Sequence, residues 1–452
     1  VDSSRGLASP PAGPRHDTVH DIVIVGGGAG GLKLATRLGD TLGRSGRARI
    51  ALVEKRRAHL WKPLLHAVAA GSLNVDEHAL DYLAQAHWHH FRYRLGEMVG
   101  VDRASKLVHV AHTPDDEGGE ITPERCFRYD TLVIATGSVS NDFGTPGASR
   151  HAIPLDTPEQ AVRFHRRLVN ACIRAHTQRG PVRPGQLHVA IIGAGATGTE
   201  LAAELHRTTR QVVGYGLDRI DPEKDVRITL IEAADRILPV LPRRVSEATA
   251  RLLAHLAVEV RTNARVIEVR EDGVVLADGS LVPAELVVWA AGVKGPDVLN
   301  RLDGLETNRA NQLVVLPTLQ TTRDPDVFAI GDCAGCPRPG HATPVPPRAQ
   351  AAHQQALHLV KQLARRVDGK STHAYVYRDF GALVSLGRYS TVGSLMGFLI
   401  GKSLFVEGWY ARLIYRSLYT RHETALHGLG TVLLGIMART IIRRPQPVVK
   451  LH

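Results

Sequence analysis

Two glycine runs of identical spacing are the first residues in this sequence that suggest chemistry. Gly26, Gly28 and Gly31 lie in DIVIVGGGAGGLKLATRL (21–38), and Gly193, Gly195 and Gly198 lie in LHVAIIGAGATGTELAAEL (187–205). In Gly-x-Gly-x-x-Gly the first glycine makes a tight turn and the second lets backbone approach a pyrophosphate. The third allows close helix packing, and the following helix N-terminus favours phosphate charge. An ordinary turn reads the same way from a lone triplet. Here both runs follow apolar β-formers and precede apolar residues at helical spacing. These are Leu32, Ala35, Leu38 and Leu42 in the first, and Leu201, Ala202 and Leu205 in the second. Each unit then reaches a second strand ending in an acid. ARIALVEK supplies Glu54 and VRITLIEA supplies Glu232, each suited to accept ribose hydroxyls. Residues 208–226 lengthen the second unit and read as a polar insertion.

The positioning elements follow. TLVIATGS places Ala135, Thr136 and Gly137 at the end of a strand over 131–135. AELVVWAAGV places Ala291 and Gly292 after 286–290, and DVFAIGDCA places Gly331 and Asp332 after 327–330. Each is a buried apolar run that stops where backbone approaches something closely. Asp278-Gly279 reads as a hairpin turn. The fold class expected is α/β, with two Rossmann-like dinucleotide-binding domains, the second inserted in the first. A C-terminal amphipathic helical part follows. The expected division is an arm over 1–20, a first domain over 21–150 and 293–385, a second over 151–292, and a C-terminal region over 386–452.

At 452 residues with 44% hydrophobic and 22% charged residues, the chain can bury a large core. Lys plus Arg is 56 against 44 acids, a surplus of 12 that suits an anionic partner. Four Cys make no disulfide framework, so a reduced, cytosolic chain is expected. No apolar run approaches the ~20 residues of a spanning helix, which excludes an integral pump or channel. The first twenty residues lack an apolar core and read as a disordered, Pro-containing arm rather than a secretory signal.

Two dinucleotide folds followed by Ala-Ile-Gly-Asp resemble the two-dinucleotide-binding-domain flavoproteins. HLWKPLLHAVAAGSL (59–73), VVWAAGV and PPRAQAAHQQA (346–356) resemble the type II NADH:quinone oxidoreductases more closely, over roughly residues 20–452. The C-terminal VKLH is similar to their proteobacterial membrane-bound branch. The resemblance implies FAD against Gly26, Gly28, Ala29, Gly30, Gly31, Glu54, Lys55, Lys62, Ala135, Thr136, Gly137, Gly331, Asp332, Ala349 and Gln350. It implies NADH against Gly193, Gly195, Thr197, Gly198, Glu200, Glu232, Ala291 and Gly292. Glu200 would serve on the nicotinamide side or in a proton relay. Gln350 and Gln354 of the Ala-Gln-x-Ala-x-Gln motif would border a quinone headgroup, ubiquinone or menaquinone, with Arg388 nearby. The implied reaction moves hydride from NADH to FAD and two electrons to membrane quinone, without proton pumping. The helix expected after Pro346 and Pro347 would aim its positive end at the flavin's pyrimidine edge.

Electrons could leave by other routes. Disulfide reductases of this broad family carry a Cys pair after the FAD acid, where this chain has WKPLLHAVAAGSLN. Sulfide:quinone oxidoreductases need active cysteines, and neither Cys126 nor Cys172 is obviously placed for that. Cys333 and Cys336 lack a second pair for a zinc site. His87, His89 and His90 read as a His-rich surface edge more readily than as ligands, so no metal is expected. A redox-regulated flavoprotein with a binding partner stays open as an alternative. Nucleic acid is not expected, since no recognition module is present. Glu232 followed by Ala233 and Ala234 favours NADH over NADPH, although Arg236 lies four beyond.

Residues 401–452 hold eight Lys or Arg against Glu407 and Glu423. Apolar stripes run through 409–418 and 426–437, each too short to span. Basic, aromatic-bearing helices of this kind suit an anionic lipid surface, here the cytoplasmic face of the inner membrane. Packing on the protein itself or in a homodimer is the competing reading.

Overall fold

The computed structural model describes residues 19–386, 390–396, 403–407 and 449. In chain order the elements that position the site are β1 (His20–Val25), α1 (Gly31–Leu38), β2 (Ala48–Glu54), α2 (Leu65–Ala69), α3 (Tyr82–Trp88), β3 (Arg92–Leu95), β4 (Thr131–Ile134) and β5 (Val139–Ser140). Then come α4 (Pro158–Thr177), β6 (His188–Ile192), α5 (Ala196–Gly214), β7 (Arg227–Ile231), α6 (Arg243–His255), β8 (Leu286–Trp289), β9 (Val293–Lys294) and β10 (Asp324–Ala329). The last are α7 (Ala349–Val367), β11 (Gly381–Leu386), β12 (Ser390–Met396) and β13 (Ser403–Glu407). His20 already belongs to β1, so the arm expected over 1–20 is one strand residue too long; residues 1–18 lie outside the described residues.

The first sheet has the order (Gln320–Thr321)-β10-β4-β1-β2-β3, parallel except at the Gln320–Thr321 edge. Ile22 to Val25 are all buried, as a parallel strand covered on both faces requires. β10 joins this sheet after the chain has completed a second one. That second sheet, (Ala152–Pro154)-β8-β6-β7-(Glu259–Arg261), is parallel throughout. In each sheet the chain reverses its direction of growth at the first strand of the unit, β1 or β6. The carboxyl end of such a strand opens a crevice for ligands.

The polar insertion expected over 208–226 begins too early. α5 continues to Gly214, and Thr208 and Thr209 are buried in it. Their hydroxyls donate back to Glu204 O (3.1 Å) and Leu205 O (2.7 Å). That satisfies the polar atoms and lets a Thr-Thr pair sit inside. Asp278 and Gly279 turn a hairpin as expected, with Gly279 at φ +85°.

α2 follows the first unit in sequence yet packs with the second. Leu65, Val68 and Ala69 share a core with Phe164 and Leu168 of α4, Leu201 of α5, and Val384 and Leu386 of β11. The paired strands β5 and β9 join the two folds a second time. β11, β12 and β13 form an antiparallel sheet, so the C-terminal region expected from 386 onward opens with strands at 390–396 and 403–407. The stripes at 409–418 and 426–437 lie outside the described residues. No helix among the described residues is long and apolar enough to cross a membrane.

Candidate dinucleotide and acceptor sites

The two glycine turns are built alike. Gly26 N–H donates to Val53 O and Gly193 N–H to Ile231 O, each at 2.8 Å. Their φ values are +102° and +101°, which glycine adopts without penalty. A Cβ on Gly31 would lie 1.9 Å from Gly26 O, and one on Gly198 would lie 2.0 Å from Gly193 O. Gly28 and Gly195 face open space instead, with nothing within 4 Å of an added Cβ. Each turn is therefore closed at its ends and open at its middle glycine, where a pyrophosphate would contact backbone. A side chain there would fill the cradle.

The two acids also match. Glu54 accepts from Gly27 N–H (2.7 Å) and Arg56 N–H (3.1 Å). Glu232 accepts from Ala194 N–H and Ala234 N–H, each at 2.9 Å. Beyond each acid opens a cavity, of about 490 Å³ beside Lys55, Arg56 and Arg57 and about 360 Å³ beside Arg261, Asn263 and Arg265. Lys55 itself reaches Glu97 at 2.7 Å. Arg236 donates to Pro239 O (2.7 Å) and Leu241 O (3.2 Å), so two of its guanidinium nitrogens are engaged by backbone carbonyls.

Around the first cradle, Lys62 Nζ donates to Ser138 O (2.9 Å) and Asp156 Oδ1 (3.1 Å). Ser138 Oγ donates to Asp332 Oδ2 at 2.9 Å, while burial pushes the Asp332 carboxyl above its usual range. A Cβ on Gly30 would lie 3.3 Å from Ile330 Cδ1 and 3.4 Å from Ala352 Cβ. The Gly-Asp turn and the start of α7 thus converge on the first cradle. Ala135 is buried beside Gly26, and Thr136 and Gly137 lead from it. No side chain caps α7, whose first residue is Ala349.

Sequence reading missed three residues here. Buried Gln355, one residue past the motif, accepts from Gly331 N–H at 2.7 Å. Tyr82 O–H donates to Gly27 O at 2.8 Å, with its ring filling the space beside Gly27. His66 lies with Nδ1 3.4 Å from Glu200 Oε2. Only the extra Gln beside the motif was a local signal.

Glu200 is buried at the start of α5, and Ser385 N–H donates to its Oε1 at 2.9 Å. Burial pushes its carboxyl up, with His66 and the Ser385 N–H opposing. Gln350 and Gln354 are both turned to the 378–381 segment. Gln350 Nε2 donates to Gly381 O (3.0 Å) and its Oε1 accepts from Phe380 N–H (3.2 Å). Gln354 donates to Arg378 O (2.8 Å) and accepts from Arg378 N–H (3.0 Å). Thr197 is exposed at the rim of the second cradle, and Ala291 and Gly292 follow β8. Arg388 lies outside the described residues.

Cys333 and Cys336 are buried, their thiols donating to backbone carbonyls, and burial pushes the Cys336 thiol up to about 11. His89 pairs with Asp40 at 2.9 Å.

Residues 20–356 match the family model of the pyridine nucleotide-disulphide oxidoreductases. A type II NADH:quinone oxidoreductase of Haemophilus influenzae is 40% identical over 96% of this chain and 100% of its own length. The chain belongs to the type II NADH:quinone oxidoreductases. A Staphylococcus aureus member of this family is 28% identical over 90% of the chain and 96% of its own length. The same fold occurs in the NDH2 of Plasmodium falciparum in complex with NADH, with a TM-score of 0.79, 18% identity, and 96% and 100% of the two chains covered. It occurs also in the sulfide:quinone oxidoreductase of Aquifex aeolicus, with a TM-score of 0.70, 18% identity, and 95% and 96% covered. Membership of the type II family rests on the sequence relatives, since the fold is common to both activities.

Proposed function

We propose that this chain is an FAD-dependent, non-proton-pumping NADH:quinone oxidoreductase, with FAD in the first cradle and NADH in the second. The observation that carries the assignment of sites is the pair of matched cradles, each open at its middle glycine and bounded by a carboxylate, with α7 starting at only one of them. When bound, FAD supplies two-electron chemistry, taking hydride from NADH and returning the electrons to quinone.

The chain's own residues bind and orient. Gly26, Gly28, Ala29, Gly30 and Gly31 form the FAD turn, Glu54 takes the ribose, and Lys55 and its neighbours border the adenosine cavity. Ala135, Thr136, Gly137, Gly331 and Asp332 offer backbone and one carboxyl to the remainder. Lys62 ties Ser138 to Asp156 beside this turn. α7, from Ala349 and Gln350, offers the positive end of its dipole beside Gly30 and Gly331, where an anionic edge is stabilised. Gly193, Gly195, Thr197 and Gly198 cradle NADH, Glu232 selects it over NADPH, and Ala291 and Gly292 border its other half. Glu200, its carboxyl pushed up by burial, sets Oε2 beside His66 Nδ1 between the folds, where a proton can be taken up or released. Gln350 and Gln354 shape the quinone side by fixing the 378–381 segment, toward which Arg388 follows in sequence.

The division into an FAD domain (21–150 and 293–385), an inserted NADH domain (151–292) and a C-terminal membrane-associating region (386–452) accords with this reading. Attachment is peripheral, to anionic lipid at the cytoplasmic face of the inner membrane; a homodimer is compatible with it. Anaerobic NADH titration of the purified protein, followed by a quinone, tests the function. Flavin absorbance should bleach with NADH and return with quinone. A spectrum that bleaches but does not recover would leave quinone reduction without support.

A further inference from the structure

Phe143 follows β5 by three residues, has φ +53° and is 68% exposed. A bulky side chain in the left-handed region is an outlier that Asn, Asp or Gly would relieve. The turn does not need it. Asn141 Oδ1 accepts from Phe143 N–H (3.0 Å) and Asp142 Oδ1 from Gly144 N–H (3.1 Å), backbone bonds that any residue but proline at 143 would leave intact. The ring gains little burial, yet it is placed. A Cβ on Gly292 would lie 2.4 Å from Phe143 Cζ, so the ring tip covers that glycine. Trp289 Nε1 donates to Asn141 O and Ala291 O, each at 2.9 Å, which ties this loop to the end of β8.

The place matters because of the order of the second sheet. β6, which feeds the cradle at Gly195, lies between β7 and β8. Glu232 ends the β7 side and Gly292 follows the β8 side. A dinucleotide with its pyrophosphate over Gly195 and its adenosine ribose on Glu232 must carry its other half toward β8. That path meets Gly292 and the ring above it.

We infer that Phe143 is a binding residue for the nicotinamide half of NADH, its ring forming an apolar wall beside Gly292. This rests on the reading that the second cradle holds NADH. Backbone strain kept at an exposed aromatic fits a site where placement outweighs local stability. An aromatic face next to a sugar and a heteroaromatic ring supplies packing without hydrogen-bond demands.

The test uses the full-length, FAD-loaded protein, with binding of NAD+ and of ADP measured by calorimetry and the melting temperature recorded. ADP carries the adenosine and pyrophosphate but not the nicotinamide half. Phe143→Asn should raise the melting temperature by about 1–2 °C, through relief of the left-handed penalty. It should weaken NAD+ about two- to tenfold and leave ADP unchanged. Phe143→Tyr should keep NAD+ affinity. A structural role predicts a lower melting temperature with NAD+ unaffected, and either result overturns the inference. So does equal weakening of NAD+ and ADP. Gly195→Val separates the two readings. If it still binds both ligands, the cradle assignment fails and this inference with it. If it loses both while Phe143→Asn binds normally, only this inference fails.

Discussion

Ser385 N–H donates to Glu200 Oε1 at 2.9 Å, joining β11 to α5 across 185 residues of sequence. The bond places a buried carboxyl, a backbone amide from the C-terminal side and His66 of α2 at one point. It gives the contact between the folds a titratable centre.

Burial raises the Glu200 carboxyl above its ordinary value of 4.5, so the folded protein holds this proton more tightly than the unfolded chain. The associated stability is complete below the ordinary value and is lost as pH rises through the raised one. Glu200→Gln keeps an acceptor for Ser385 and removes the titration. Urea midpoints should show the variant gaining on the wild type as pH rises from acidic to neutral, while turnover falls. A stability difference that stays constant with pH would mean that Glu200 does not titrate in that range.

The cradle glycines should separate folding from loading. Gly28→Val meets open space and should fold, but its branched side chain occupies the place of the pyrophosphate. Purified Gly28→Val should show wild-type circular dichroism and no flavin absorbance. Gly31→Ala, whose Cβ would sit 1.9 Å from Gly26 O, should lose ~1–3 kcal/mol of stability or more. A yellow, fully loaded Gly28→Val would remove the first fold from consideration as the FAD site.

Local spacing made the cradles readable. Strand, three glycines, helix and terminal acid lie within one continuous stretch, and each glycine's duty follows from its place in the turn. Tyr82, Gln355 and His66 were not readable because their partners lie 55, 24 and 134 residues away, at Gly27, Gly331 and Glu200. Thr208 and Thr209 were misread because composition shows a hydroxyl but not the carbonyl one turn back that satisfies it. The Gln350 and Gln354 motif was visible, but the backbone they grip could not be inferred from it.

That grip yields the third prediction. Gln354→Ala removes two hydrogen bonds to Arg378 and should cost ~1–3 kcal/mol. Hydrogen exchange at Arg378, Phe380 and Gly381 should quicken in Gln350→Ala and Gln354→Ala. Rapid mixing should show flavin reoxidation by quinone slowed more than reduction by NADH, because both glutamines sit on α7, which starts beside the first cradle, and grip the 378–381 segment and not the second cradle. Equal slowing of both half-reactions would instead place the glutamines in support of the flavin itself.

The C-terminal region needs a cut chosen from the structure. β13 completes a sheet through Glu407, so truncation should follow that residue. Val449 is also buried, in a cluster with Ala171, Cys172 and Ala175 of α4 and Val212 and Val213 of α5. Removing it alone exposes that groove, and Val449→Ala should cost ~1–3 kcal/mol without altering membrane binding. Truncation after Glu407 should carry the same stability loss and, in addition, abolish flotation with anionic vesicles. The truncated protein should keep FAD and reduce water-soluble quinone analogues while losing activity with long-tailed quinones in vesicles. High salt should release the full-length protein only partly, since it screens the Arg and Lys contribution and leaves apolar burial intact. If truncated and full-length proteins float equally, lipid contact lies elsewhere. If Val449→Ala alone stops flotation, the loss reports folding of the α4–α5 groove and not a lipid anchor.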